Sequence, residues 1–123
     1  QPSLETAALQ RWFNSDFLAA NPDVAAYITA RLRNNDPARF IESYELLSKA
    51  EDHSVAYSAL TMPALILTGD GDEGSTSFMA MEMARAMPNA RAEIIQGAKH
   101  IGIIERHQQF SDALISFVSE RVI

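Results

Sequence analysis

Four ionisable residues follow two short segments of the sequence that are predicted to be strands. The run ALILTG is followed by Asp70, Asp72 and Glu73, and the run RAEIIQG is followed by His100. A carboxylate that accepts a hydrogen bond from one imidazole nitrogen fixes the tautomer of the ring. The other nitrogen can then take a proton from a nucleophile or from water. These residue types therefore indicate acid–base chemistry if the fold brings one of the carboxylates to His100.

The elements around these residues predict that it does. The run ALILTG is short and apolar, lacks a helical phase and ends at Gly69, as a buried strand does. The run RAEIIQG is predicted to be a second strand of about six residues, which ends at Gly97. A helix capped by Ser75 or Thr76 lies between them, and a second helix follows His100. Strand, helix, strand, helix is typical of a βαβα unit with parallel strands and a right-handed crossover. Functional groups gather beyond the carboxyl ends of such strands, so we expect the carboxylates to lie beside His100.

The apolar faces of these two helices can be predicted from helical spacing. On the first helix the inner residues are expected to be Phe78, Met79, Met83 and Met87. On the second they are expected to be Phe110, Ala113, Leu114, Phe117 and Val118. We interpret the methionines as core packing.

The first sixty residues predict helices and no strand. One helix is expected over Leu4–Phe13. Asn21-Pro22 and Asp36-Pro37 each combine a good N-cap with proline at the first helical position, so a helix should follow each pair. The third predicted helix carries an apolar face of Phe40, Ile41, Tyr44 and Leu47. A shorter helix is predicted over Ser54–Leu60.

Bulk properties exclude several classes of function. A chain of 123 residues with 47% hydrophobic residues has room for one ordinary folded domain. Its net charge of -6 argues against a nucleic-acid partner. With no cysteine there is no disulfide or thiolate metal site, and the composition fits a reducing, cytoplasmic location. The apolar runs are too short to cross a membrane, and no signal peptide is visible. His53 and His107 lack partners at metal-ligand spacing, so no metal site is expected.

Two segments carry a resemblance to a known family. MPALILTGDGD and NARAEIIQGAKHIGIIER resemble the C-terminal part of the α/β-hydrolase fold, with its Gly-x-x-Asp and Gly-Ala-x-His patterns and a glutamate five residues after the histidine. The residues on those positions are Gly69, Asp72, Gly97, Ala98, His100 and Glu105. The resemblance implies that Asp72 is the acid and His100 the base of a catalytic triad. Asp70 fits less well, because it stands one residue after Gly69.

The helical half is similar to the lid of 3-oxoadipate enol-lactonase-like members of that family. RWF, NPDV and NNDPARFIESYELL carry the similarity. We therefore expect residues 1–60 to form a helical lid and residues 61–123 the C-terminal βαβα part of the core. The resemblance implies an ester or lactone substrate and no cofactor. Trp12 is a candidate for lining a substrate pocket under the lid, with a buried anchor as the alternative.

The family's nucleophile motif does not occur in this sequence. Its Gly-x-Ser-x-Gly elbow precedes the acid and the histidine, and none of the five glycines here has a serine two positions later. The chain begins with Gln1 rather than methionine, as expected of a processed, trimmed or excised sequence. Two hypotheses follow. The first is that this chain is part of a hydrolase whose nucleophile (serine, aspartate or cysteine) lies elsewhere. The second is that the chain is a non-catalytic fragment with an assembly or binding role.

The resemblance also implies self-association of the isolated chain. In the complete fold the strand Ala64–Thr68 is flanked by a further strand that this sequence lacks. An unpaired apolar strand edge tends to recruit another chain, and a two-stranded sheet is marginal in water. We therefore expect a homo-oligomer that buries this edge or the lid helices between copies.

Overall fold

The computed structural model of the protein describes residues 1–50 and 55–121. In that part of the chain the strands are β1 (Ala64–Gly69) and β2 (Ala90–Ile95). The α-helices there are α1 (Leu4–Trp12), α2 (Ser15–Ala20), α3 (Pro22–Arg33), α4 (Pro37–Ser48), α5 (Ser77–Ala86), α6 (Gly102–Glu105) and α7 (His107–Ser119). The N-terminal part is thus helical, and the C-terminal part alternates strand and helix as the sequence predicts.

Local signals start most of the predicted helices. Pro22 and Pro37 occupy the first position of α3 and α4. The Asp36 side chain accepts hydrogen bonds from the N–H groups of Ala38 and Arg39. Of the two proposed caps for α5, Thr76 is the one that accepts from the first turn, at Met79. Each cap satisfies a backbone donor that the helix itself leaves without a partner.

The two strands pair in parallel, as predicted. Their register runs from Ala64 opposite Ala90 to Gly69 opposite Ile95, so both strands end at the same edge. The connecting helix α5 packs against both strands, and α7 packs on them as well. The buried centre of this part consists of Ile95, Ala98 and Ala113, with Leu67 and Phe110 packed against it.

Several predicted inner residues of α5 and α7 are exposed instead. On α5, Phe78 is 66% exposed and Met79 is 54% exposed. On α7, Leu114 and Val118 are exposed. The reason is the width of the sheet, since two strands cover only a narrow stripe of each helix. That stripe runs through Ala80 and Met83 on α5, continues to Met87 at its C-cap, and on α7 runs through Phe110, Ala113 and Phe117.

The N-terminal helices pack mainly on one another. Helix α3 contacts both α1 and α2. Phe13, between α1 and α2, is fully buried and stacks on Phe17 with ring centroids 5.4 Å apart. By contrast, the predicted inner face of α4 is exposed. The large apolar side chains exposed on this helix are Phe40, Ile41, Tyr44, Leu46 and Leu47.

Two helices were not predicted, and one prediction was wrong in type. Helices α2 and α6 are short and follow bends whose geometry depends on distant contacts. Ser54, the first residue of the helix predicted over Ser54–Leu60, lies outside the described residues. The rest of that segment forms a 3-10 helix at Tyr57–Ala59. Among the residues that the structure describes, no helix combines the length and the apolar composition that a bilayer crossing needs.

Candidate active site

The ends of the two strands bring their loops into direct contact. The N–H of Asp70 donates to the carbonyl of Ile95 at 3.0 Å, and the N–H of Gly71 donates to the carbonyl of Ala98 at 2.9 Å. Gly69 allows this approach, because a Cβ at this position would lie 2.2 Å from the carbonyl oxygen of Ala98. The loop after β1 is therefore fastened to the loop that carries His100.

Asp72 and His100 meet across this junction. Oδ2 of Asp72 lies 2.9 Å from Nδ1 of His100. Oδ1 of the same carboxylate accepts from the N–H groups of Gly74 and Ser75, both at 2.9 Å. Asp72 is only 8% exposed. The carboxylate is thus held by its own loop and directs one oxygen to the imidazole.

The surroundings of Asp72 favour its charged form. Burial raises the pKa of this carboxyl. Hydrogen bonds from Ser75, His100 and Gly74 together lower the pKa by more than burial raises it, so the pKa lies below its ordinary value. An ionised Asp72 accepts hydrogen bonds only, so the proton in the contact belongs on Nδ1 of His100. This tautomer leaves Nε2 of the neutral ring without a proton, as a base requires.

His100 is accessible, and an aromatic side chain lies beside it. Its side chain is 46% exposed. The ring of Trp12 lies with its centroid 6.4 Å from that of His100, at an interplanar angle of 35°. The Trp12 carbonyl also accepts from the N–H of Ile101 at 3.1 Å. The end of α1 therefore borders the imidazole.

The other two carboxylates of the loop after β1, those of Asp70 and Glu73, do not contact His100. Oδ1 of Asp70 accepts from the N–H of Gly97 at 2.9 Å and so ties the two loops together. Glu73 is exposed. Of the three candidates, Asp72 is the one that contacts His100, and Asp70 has a structural contact of its own.

Sequence reasoning missed the role of a buried carboxylate behind His100. Glu105 is 5% exposed. Its oxygens accept from the N–H of Lys99 at 2.6 Å and from the backbone N–H of Asn14 at 3.1 Å. The spacing of Glu105 from His100 marked it as part of a motif. No local signal marked Asn14, which is 91 residues away in the chain.

Within residues 1–50 and 55–121, no group of three or more histidine, aspartate or glutamate side chains is arranged to hold a metal ion. His53, named in the sequence analysis, lies outside the described residues.

The fold of the chain matches part of a known class of enzymes. The chain has a mixed α/β fold with a two-stranded parallel sheet, and it matches the C-terminal part, about 45%, of α/β-hydrolase enzymes. Solved structures that match include the enol-lactonase from Burkholderia xenovorans LB400. That protein is 29% identical, with a TM-score of 0.79, and the match covers 94% of this chain and 44% of the enol-lactonase.

Two more distant structures match in fold alone. Rv0554 from Mycobacterium tuberculosis is 22% identical, with a TM-score of 0.71, over 98% of this chain and 45% of that protein. Est816, an N-acyl homoserine lactone degrading enzyme, is 18% identical, with a TM-score of 0.70, and the match covers 95% of this chain and 52% of Est816. The chain thus spans about half the length of the solved proteins that it matches. No protein-family model and no curated protein matches it.

Proposed function

We propose that this chain supplies the acid, Asp72, and the base, His100, of a hydrolase that acts on an ester or a lactone. The nucleophile of the proposed enzyme lies in polypeptide outside this sequence. The observation that carries the proposal is the 2.9 Å contact between Oδ2 of Asp72 and Nδ1 of His100. The orientation of the buried carboxylate by two backbone N–H groups supports it.

The proposed chemistry uses the free imidazole nitrogen. Nε2 of His100 takes the proton of a hydroxyl nucleophile as the nucleophile's oxygen bonds to the acyl carbon. The bond from that carbon to the leaving oxygen then breaks, and the proton passes from Nε2 to the leaving oxygen. In a lactone the leaving oxygen stays attached as an alcohol. A water molecule, deprotonated by His100, releases the acyl group in the same way. Asp72 stabilises the imidazolium in both steps.

The substrate class rests on similarity and on the surroundings of His100. Two of the matching structures are named for lactone chemistry, an enol-lactonase and an N-acyl homoserine lactone degrading enzyme. Under this proposal residues 1–60 form a lid, and Trp12 lines the substrate pocket beside the imidazole. Its ring, 6.4 Å from that of His100, offers an apolar surface to the acyl or lactone ring.

A chimera tests the proposal. This chain replaces the equivalent 44% of the Burkholderia xenovorans enol-lactonase, so that the rest of that protein supplies the missing part of the fold. We expect hydrolysis of p-nitrophenyl acetate by the chimera, and its loss in His100→Ala. His107→Ala is the matched control, because His107 lies on α7 and should leave the rate unchanged. A folded chimera whose turnover survives His100→Ala would contradict the proposal.

A second candidate function is assembly without catalysis. The observation that favours it is the exposed apolar row on α4, where Leu46 and Leu47 are 68% and 69% exposed. Exposed apolar patches of this kind mark interaction surfaces. A chimera that folds and binds no substrate, together with an isolated chain that self-associates, would favour this candidate.

A further inference from the structure

The loop that carries His100 is held from the side of the N-terminal helices. The Lys99 ammonium donates to the carbonyl of Gln10 at 2.9 Å, and the N–H of Ile101 donates to the carbonyl of Trp12 at 3.1 Å. Carbonyls in the last turn of a helix have no partner inside the helix. The residues on either side of His100 therefore supply those partners for α1.

Glu105 also holds this loop. Its Oε1 accepts from the N–H of Lys99 at 2.6 Å, the residue directly before His100. Both of its oxygens also face Asn14. The Asn14 side-chain amide donates to Oε1 at 3.1 Å and to Oε2 at 3.2 Å, and the backbone N–H donates to Oε2 at 3.1 Å. Glu105 is thus a bridge between the His100 loop and the α1–α2 junction.

The hydrogen bonds of the Asn14 side chain support this bridge. Asn14 is the N-cap residue of α2, and asparagine is one of the preferred N-caps because its side chain can accept from the first turn. Here its side chain makes no cap hydrogen bond. It turns to Glu105 and to the carbonyl of Gly97, at 2.9 Å. The Asn14 side chain therefore does not cap α2 and instead contacts residues far away in the sequence.

We propose that Glu105 is a positioning residue for His100. The carboxylate joins Asn14 to the N–H of Lys99 and so fixes the backbone that aims the imidazole at Asp72. The inference rests on the proposed function for its catalytic meaning, but its geometry can be tested in this chain alone. It also makes the N-terminal helices part of the acid–base site, because α1 and Asn14 hold the loop that presents the base.

Glu105→Gln is the informative change, because it keeps the size and the burial of the side chain. Both carboxylate oxygens accept N–H groups, whereas glutamine has one acceptor and one amide donor. Whichever way the amide turns, its NH₂ group faces an N–H of Asn14 or of Lys99. The bridge therefore breaks on one side without leaving a cavity. If Glu105→Gln does not fold, Asn14→Ala weakens the bridge from the other side, because it removes both side-chain hydrogen bonds to Glu105 and keeps the one from the backbone N–H.

Nitrogen NMR of the ¹⁵N-labelled chain of 123 residues, at a pH where the imidazole is neutral, provides the first measurement. His100→Ala identifies the signals of His100 among the three histidines. In the wild-type chain we expect the proton on Nδ1 and none on Nε2. In Glu105→Gln and Asn14→Ala we expect a mixture of the two tautomers. A role in stability alone would lower the melting temperature and leave the tautomer of the folded protein unchanged.

Amide exchange provides a second measurement that does not depend on the imidazole. Loss of a hydrogen bond to a charged acceptor should speed exchange of the Lys99 or Asn14 amide by roughly 10- to 100-fold in Glu105→Gln. Asn21→Ala is the control for Asn14, because Asn21 is also an N-cap residue, of α3, whose side chain makes no cap hydrogen bond and donates to the nearby carbonyl of Phe17. Glu120→Gln is the control for charge, because Glu120 pairs with Arg91 at the surface.

The outcomes separate the two proposals. A wild-type tautomer on Nδ1 that is lost in Glu105→Gln and Asn14→Ala, but kept in both controls, supports the positioning role. An unchanged tautomer and unchanged exchange in folded Glu105→Gln would overturn that role and leave the proposed function intact. A wild-type His100 without the proton on Nδ1 would contradict the proposed function, and amide exchange would still decide whether Glu105 holds the loop.

Discussion

Replacing Gly69 by alanine should separate the two loops that carry the candidate acid and base. The new Cβ would lie 2.2 Å from the carbonyl oxygen of Ala98 and 2.6 Å from its carbonyl carbon. The obstacle is backbone, and Ala98 is fully buried, so no side-chain rotation relieves the contact. The Ala98 loop must therefore move away by about 1 Å to restore an ordinary contact.

That movement has a calculable cost. The hydrogen bond from the N–H of Gly71 to the carbonyl of Ala98, now 2.9 Å, would be lengthened beyond the useful range. Overpacking costs typically ~1–3 kcal/mol and a lost hydrogen bond about 1 kcal/mol, so we expect a loss of roughly 2–4 kcal/mol. In a chain of this size that lowers the melting temperature by roughly 8–16 °C.

Thermal unfolding followed by circular dichroism measures the effect, and Gly74→Ala provides the matched control. A Cβ at Gly74 would meet its nearest atom, Oδ1 of Asp72, at 3.7 Å, which is an ordinary contact. Because alanine restricts the unfolded chain, Gly74→Ala should be neutral or slightly stabilising. A melting temperature for Gly69→Ala equal to that of Gly74→Ala would refute the close approach of the two loops.

Two further predictions concern pH and assembly. Because the pKa of Asp72 is lowered in the folded protein, its ionised form contributes stability at neutral pH that is lost as the pH falls through the lowered pKa. Urea unfolding should therefore show a difference in the free energy of unfolding between the wild type and Asp72→Asn that vanishes in acid. A difference that stays constant with pH would contradict this prediction. The isolated chain should sediment as a homo-oligomer. If α4 lies in the interface, the double variant Tyr44→Glu and Leu47→Glu should shift the chain towards monomer, whereas Ala38→Glu on the opposite face of α4 should not. A monomeric wild type would contradict self-association.

The sequence predicted the elements whose signals are local. Asn21-Pro22 and Asp36-Pro37 started helices where expected, because capping and proline geometry act within one turn. The two predicted strands are present and pair in parallel. That topology brought the loops of Asp72 and His100 together, because parallel strands share their carboxyl edge.

The sequence could not predict what depends on distant contacts or on the width of the sheet. The contact of Glu105 with Asn14 joins residues 91 positions apart, and the asparagine alone predicts only a helix cap. Phe78 and Met79 have the helical spacing of core residues, but two strands leave that side of α5 uncovered. Periodicity identifies an apolar face, but it does not identify what covers the face.

The most direct test of the central claim compares two neighbouring aspartates in the chimera with the enol-lactonase. Asp72→Asn should lower kcat for p-nitrophenyl acetate by about 10⁴-fold, because an amide in its place favours the wrong imidazole tautomer. Asp70→Asn should keep activity within roughly 10-fold of the unchanged chimera, because the asparagine Oδ1 can still accept from the N–H of Gly97, and the loss of charge on that one acceptor costs about 1 kcal/mol. Equal losses from the two substitutions would contradict the assignment of Asp72 as the partner of His100.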